Sequence, residues 1–123
     1  MITTRRTERD LSRPPAERDL HSISKRAEEV AADIGLHVAE VMGSAAYRAL
    51  GAKTPEARAE LDGVLASQLA CAGALTAAAR ALRAPQGARE ARFLLLEGAA
   101  HSIRIAQLWR REDELLAAAR ADG

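Results

Sequence analysis

The stretch Thr54–Ala84, TPEARAELDGVLASQLACAGALTAAARALRA, decides the fold of this chain. Its core-type residues recur at alternating spacings of four and three, which is the a/d seam of helices that pack in a left-handed bundle. Thr54 is a typical N-cap, and Pro55 suits the first helical position. The sequence predicts one long helix here. The seam residues are Leu61, Leu65, Gln68, Ala72, Leu75, Ala79 and Leu82.

A second side of this predicted helix carries only small residues. Glycine and alanine have little or no side chain, so another backbone can approach closely. A helix that is apolar on two sides normally has neighbours on both. We therefore expect this small-residue ridge to be an interface. Its members are Gly63, Ala66, Ala70, Gly73 and Ala77.

The composition favours an all-α protein. Hydrophobic residues make up 48% of the 123 residues while aromatics make up 2%, so the core has to consist of Ala and Leu packed between helices. Strands favour β-branched and aromatic residues. This length fits a single domain. We expect an antiparallel bundle of three long helices in up-down-up order. An additional short helix at the N-terminus is the alternative.

Charge and cysteine content narrow the function classes. The 18 Lys and Arg residues nearly balance the 17 Asp and Glu residues, which argues against binding nucleic acid through bulk charge.

Cys71 is single, so no intramolecular disulfide or cysteine zinc site is expected, and a cytoplasmic location fits. The N-terminus has no apolar signal segment, and the charge-free run Gly63–Ala79 is short for a membrane span. We expect no membrane partner.

Residues 1–15 are predicted to be a flexible arm, and residues 16–123 the helical domain. If an oligomer gathered several arms, they would form a basic surface for nucleic acid. The basic residues of the arm are Arg5, Arg6, Arg9 and Arg13.

The first long helix is predicted to begin near Pro15 or Ala16 and to end near Leu50. Gly51 is then expected to be the left-handed residue that follows the helix. If this helix is broken, Gly43-Ser44 is where we expect the bend. Its predicted seam is Leu20, Ile23, Ala27, Val30, Ile34, His37 and Val41.

The third helix is predicted to span about Ala88 to Ala121, after a Pro-Gln-Gly reversal. Its N-terminal half is apolar all round, which predicts self-association, most simply a dimer. Trp109 is either an interface anchor or the edge of the core. The main stripe is Leu94, Gly98, His101, Ile105, Leu108 and Leu115. The second apolar surface is Phe93, Leu96, Ala99 and Ile103.

Counting residues from the two turns places His37, Gln68 and His101 at one level of the bundle. In a structural interpretation, these side chains hydrogen-bond one another and fix the register. In a functional interpretation, the two histidines with Glu97, Glu40 and Cys71 form a metal or proton-transfer site. The spacings His37-x-x-Glu40 and Glu97-x-x-x-His101 differ from the Glu-x-x-His pattern of carboxylate-bridged iron bundles.

The sequence contains no phosphate-binding glycine loop and no Ser-His-Asp pattern. We therefore expect a non-enzymatic assembly or adaptor protein without a cofactor, which binds itself and a partner protein. The alternatives are a metal-binding or redox bundle and a nucleic-acid-associated accessory subunit that uses the arm.

Overall fold

The computed structural model describes residues 17–85 and 87–121. Within these ranges its regular secondary structure is entirely helical, with short turns between the helices. They are α1 (Glu17–Met42), α2 (Ala45–Lys53), α3 (Pro55–Arg83) and α4 (Gly87–Ala121). The prediction of an all-α protein is confirmed. The predicted arm, with Arg5, Arg6, Arg9 and Arg13, and the predicted start of the first helix lie outside the described residues.

α3 is the core helix. Both α1 and α4 pack mainly on α3 and contact each other much less. All seven predicted seam residues of α3 are buried, so this part of the prediction is confirmed. Thr54 lies at the N-cap position and Pro55 in the first turn, as predicted, but the Thr54 side chain makes no capping hydrogen bond. Among the described helices α3 alone is long and apolar enough to cross a membrane, a test that a buried core helix also passes.

The prediction of one unbroken first helix is wrong, because the chain breaks at Gly43-Ser44, where a bend had been anticipated. Ser44 stabilises both sides of this break. Its hydroxyl donates to the Val41 carbonyl at 2.7 Å and accepts from the Tyr47 backbone N–H at 3.2 Å. One serine therefore closes the end of α1 and caps the start of α2.

The predicted role of Gly51 is also wrong. This residue lies inside α2, and none of the described glycines has a positive φ. The Thr54 N–H instead donates to the Leu50 carbonyl at 2.8 Å. Because a residue before proline avoids the helical region, Pro55 ends α2 at Lys53 and starts α3 at once.

The buried face of α1 is rotated slightly from the predicted seam. Leu20, Ile34 and Val41 are buried as predicted, whereas Ile23 is 40% exposed. Ala27, Val30 and His37 are half-buried. The additional buried residues are Ser24, Ala31 and Val38. Each of these follows a predicted position by one residue while Leu20, Ile34 and Val41 are shared, so the stripe that faces the core is turned by less than the 100° that separates neighbouring residues.

The reversal between α3 and α4 is tight. A Cβ atom at residue 87 would lie 2.6 Å from the carbonyl carbon of Leu82, so only glycine fits there. Beyond this turn, Leu20 of α1, Leu82 of α3 and Ala91 of α4 form a small apolar cluster that closes this end of the molecule.

Candidate functional site

Four side chains form a polar layer between the helices: His37, Gln68, Trp109 and Glu112. The buried carboxyl group of Glu112 lies at its centre. Only 3% of Glu112 is exposed. The Gln68 amide nitrogen donates to its Oε1 at 2.8 Å. His37 Nε2 lies 2.8 Å from Oε2 and 3.0 Å from Oε1. Nε2 is thus the His37 ring nitrogen that faces the carboxyl group. Three helices thus meet at one acidic side chain.

Trp109 completes the layer. Its indole N–H donates to Gln68 Oε1 at 3.1 Å. Its ring meets the His37 ring edge-on, with centroids 6.1 Å apart. The Gln68 amide can satisfy both neighbours in one orientation only, with nitrogen toward the carboxylate and oxygen toward the indole. Within the described ranges, no buried side-chain nitrogen or oxygen lacks a hydrogen-bond partner.

The predicted meeting of His101 with Gln68 is wrong. Gln68 contacts residues 109 and 112, which lie two to three helical turns beyond His101. Side chains on a helix lean toward its N-terminus. The long side chains of Gln68 and Glu112 meet between α3 and α4, whereas His101 lies 3.6 Å from Glu97 on its own helix. The count from the turns compared backbone levels and left out how far long side chains reach along a helix.

The other residues of the predicted site are dispersed. His101 is half-buried, with Nε2 3.6 Å from Oε1 of the exposed Glu97. Glu40 is exposed on α1, and Cys71 is buried in the apolar core. Within residues 17–85 and 87–121, no three His, Cys, Asp or Glu side chains are placed to hold a metal ion.

Sequence reasoning missed Glu112, although the pattern contained a signal for it. The apolar stripe of α4 passes from Leu108 to Leu115 and leaves out one seam position, residue 112. Residues that interrupt a seam are buried with it when the flanking positions are buried, as they are here. The buried Ser24, whose hydroxyl donates to the Ala79 carbonyl at 2.6 Å, was missed for another reason, because the predicted seam of α1 contained its neighbour Ile23 instead.

Both predicted interface surfaces are exposed on the single chain. On α3, every member of the small-residue ridge is exposed: Gly63, Ala66, Ala70, Gly73 and Ala77. On α4, Phe93 is 73% exposed, Leu96 62% and Ile103 64%. Ala99 is exposed too. Trp109 is 40% exposed, and its indole contacts the polar layer.

An open apolar groove of about 480 Å³ lies between α1 and α4, with α3 as its floor. Its wall includes Ile23, Val30, Leu75, Leu82 and Leu94. None of His37, Gln68, Trp109 and Glu112 lines it. The polar layer is thus separate from the groove.

Comparison with protein-family models, with curated proteins and with solved structures gives no match. The function therefore has to be inferred from the contacts and surfaces of the chain itself.

Proposed function

We propose that this chain is a non-enzymatic assembly or adaptor protein of the cytoplasm. Its three long helices form an up-down-up antiparallel bundle. The bundle self-associates, most simply as a dimer, and binds a partner protein through its remaining small-residue or apolar face.

The observation that carries this proposal is the outward face of α4. Phe93, Leu96 and Ile103 are each more than 60% exposed and lie within three turns of one helix. Exposed leucines scattered singly are ordinary, but contiguous apolar patches mark interaction sites. Burying one such side chain is worth about 1.5 to 3 kcal/mol. A second chain that covered this face would bury these side chains, and most of the free energy of their burial would favour association.

The polar layer supports a structural role instead of a catalytic one. The Glu112 carboxylate is already held by Gln68 and His37, and Gln68 is held by Trp109. A general base or nucleophile needs a neighbouring space for its substrate. This layer does not face the groove. We therefore assign it to fixing how α1, α3 and α4 pair.

The small-residue ridge of α3 is the surface that we assign to the partner protein. A Cβ atom at Gly63 or Gly73 would meet nothing within 4 Å, so this surface is open in the single chain. Its flatness allows a partner helix to approach the α3 backbone closely.

Sedimentation velocity of the untagged protein, from about 1 μM to about 1 mM, tests the self-association. We expect a concentration-dependent dimer. The triple variant Phe93→Gln, Leu96→Gln, Ile103→Gln should keep its helical circular dichroism and shift the monomer–dimer midpoint at least about tenfold to higher concentration. Leu36→Gln is the matched control, since Leu36 is 65% exposed on α1.

The proposal fails if the wild-type protein remains a monomer over the whole range. It also fails if the triple variant associates as strongly as the wild type while Leu36→Gln does not.

A further inference from the structure

The outward face of α4 is itself a helix-pairing stripe. Phe93, Leu96, Ala100 and Ile103 follow at spacings of three, four and three, and all four are exposed. This is the a/d pattern by which two helices interlock side chains. The stripe is separate from the one that packs on α3, which contains the buried Ile105 and Leu108.

The two flanks of this stripe differ in charge. One flank has Glu90, Glu97 and Arg104 at seven-residue intervals, and all three are exposed. The other flank has Arg92 followed by two alanines. In helix pairs these flanking positions decide partner and orientation, because charges on the two helices face each other there.

We propose that two copies of this chain pair through this stripe with their α4 helices antiparallel, around a two-fold axis near Glu97 and Gly98. This inference rests on the proposed self-association and names its surface and geometry. Phe93 of each copy then faces Ile103 of the other, and Leu96 faces Ala100. The charged flank places Glu90 opposite Arg104 of the second copy, and the symmetry makes this ion pair twice.

A second copy fits this face because a two-fold interface presents the same patch on both sides. The stripe and its charges are complementary to themselves when one helix is reversed. A parallel pair would instead bring Glu97 beside Arg92 of the second copy and leave Arg104 facing an alanine. In the antiparallel order, Glu90 and Arg104 each face an opposite charge on the second copy.

The antiparallel order has one unfavourable contact, and this contact distinguishes it from the parallel order. The two Glu97 carboxylates approach each other near the axis, and each lies 3.6 Å from Nε2 of its own His101. Removing this charge should therefore strengthen the antiparallel dimer. In a parallel dimer the same change would remove an attraction and weaken the association.

Charge exchange tests the proposal. Dimer dissociation constants are measured by sedimentation for Glu90→Arg, Arg104→Glu, the double exchange and Glu97→Gln. We expect each single reversal to weaken the dimer by roughly tenfold and the double exchange to return within about twofold of the wild type. Glu97→Gln should bind more tightly. Asp33→Arg and Arg48→Glu make the same charge changes at exposed positions on α1 and α2 and should have no comparable effect.

If the wild type dimerises but the double exchange does not recover what the single reversals lose, this inference is overturned and the proposed function still holds. Weaker association of Glu97→Gln overturns it as well. A wild-type protein that never dimerises overturns both proposals.

Discussion

Glu112 is a carboxylate that folding removes from water and then surrounds with hydrogen-bond donors. Burying a charge without partners costs several kcal/mol, and the neighbours have to compensate for this cost. The hydrogen-bond partners come from His37 on α1 and Gln68 on α3. Three helices thereby meet at one point, and a slip of α1 or α3 by one turn would remove one of the two partners of the carboxylate. The layer stabilises one register over its alternatives.

Gln68 is the residue whose loss tests this layer most cleanly, because it is fully buried and has both a donor and an acceptor in use. Gln68→Leu keeps a similar volume but leaves Glu112 and the Trp109 indole each without one partner. We expect a loss of about 1 to 3 kcal/mol in the free energy of unfolding. Urea denaturation followed by circular dichroism measures it.

Gln107→Leu is the matched control for this substitution, because Gln107 is exposed on α4. Its effect should stay within about 0.5 kcal/mol. A Gln68→Leu protein that is as stable as the wild type, or more stable, would contradict the mutually satisfied layer.

At the scale of helices, the local signals determined α3 and missed part of α1. The Thr54-Pro55 start and the regular spacing of the seam predicted the bounds and the buried face of α3, since start signal, proline and periodicity all agree there. In the first helix two signals disagree. The apolar period continues toward Leu50, whereas Gly43-Ser44 favours a bend. The Ser44 hydroxyl resolves this conflict by capping a new helix, a local contact that apolar periodicity does not report.

A hydrogen bond from Tyr47 links the short helix α2 to α3. The Tyr47 hydroxyl donates to Asp62 Oδ1 at 2.5 Å, and the Arg58 guanidinium lies 3.6 Å from the Tyr47 ring centroid. The bond to Asp62 raises the pKa of Tyr47, burial adds to this increase, and Arg58 opposes it. The folded protein therefore holds this proton more tightly than the unfolded chain does.

Because the pKa of Tyr47 is higher in the folded state, the stability that it contributes is complete below about pH 10 and is lost as the pH rises through the folded value. Tyr47→Phe should lower the free energy of unfolding by about 1 to 2 kcal/mol at neutral pH. The gap between wild type and variant should then narrow above about pH 10. Urea denaturation at a series of alkaline pH values measures this gap. A gap that stays constant or widens over that range would contradict the assignment.

For the whole molecule, the sequence predicted an all-helical chain with α3 at its centre and two exposed apolar surfaces. The polar layer was only partly predictable. His37 and Gln68 interrupt apolar seams and were found, but their shared partner Glu112 was not. Its position depends on how far long side chains lean along antiparallel helices, which backbone counting does not include.

The most direct test of the account is whether the outward face of α4 is covered in solution. Phe93 is the single phenylalanine of the chain and, among the residues that the structure describes, the most exposed large apolar one, so its oxidation by hydroxyl radicals reports on this face alone. Leu36, 65% exposed on α1, is the internal reference. We expect the labelling of Phe93 to fall several-fold relative to Leu36 as the protein is concentrated from about 1 μM to about 1 mM. Equal labelling ratios at both ends of this range would contradict the account.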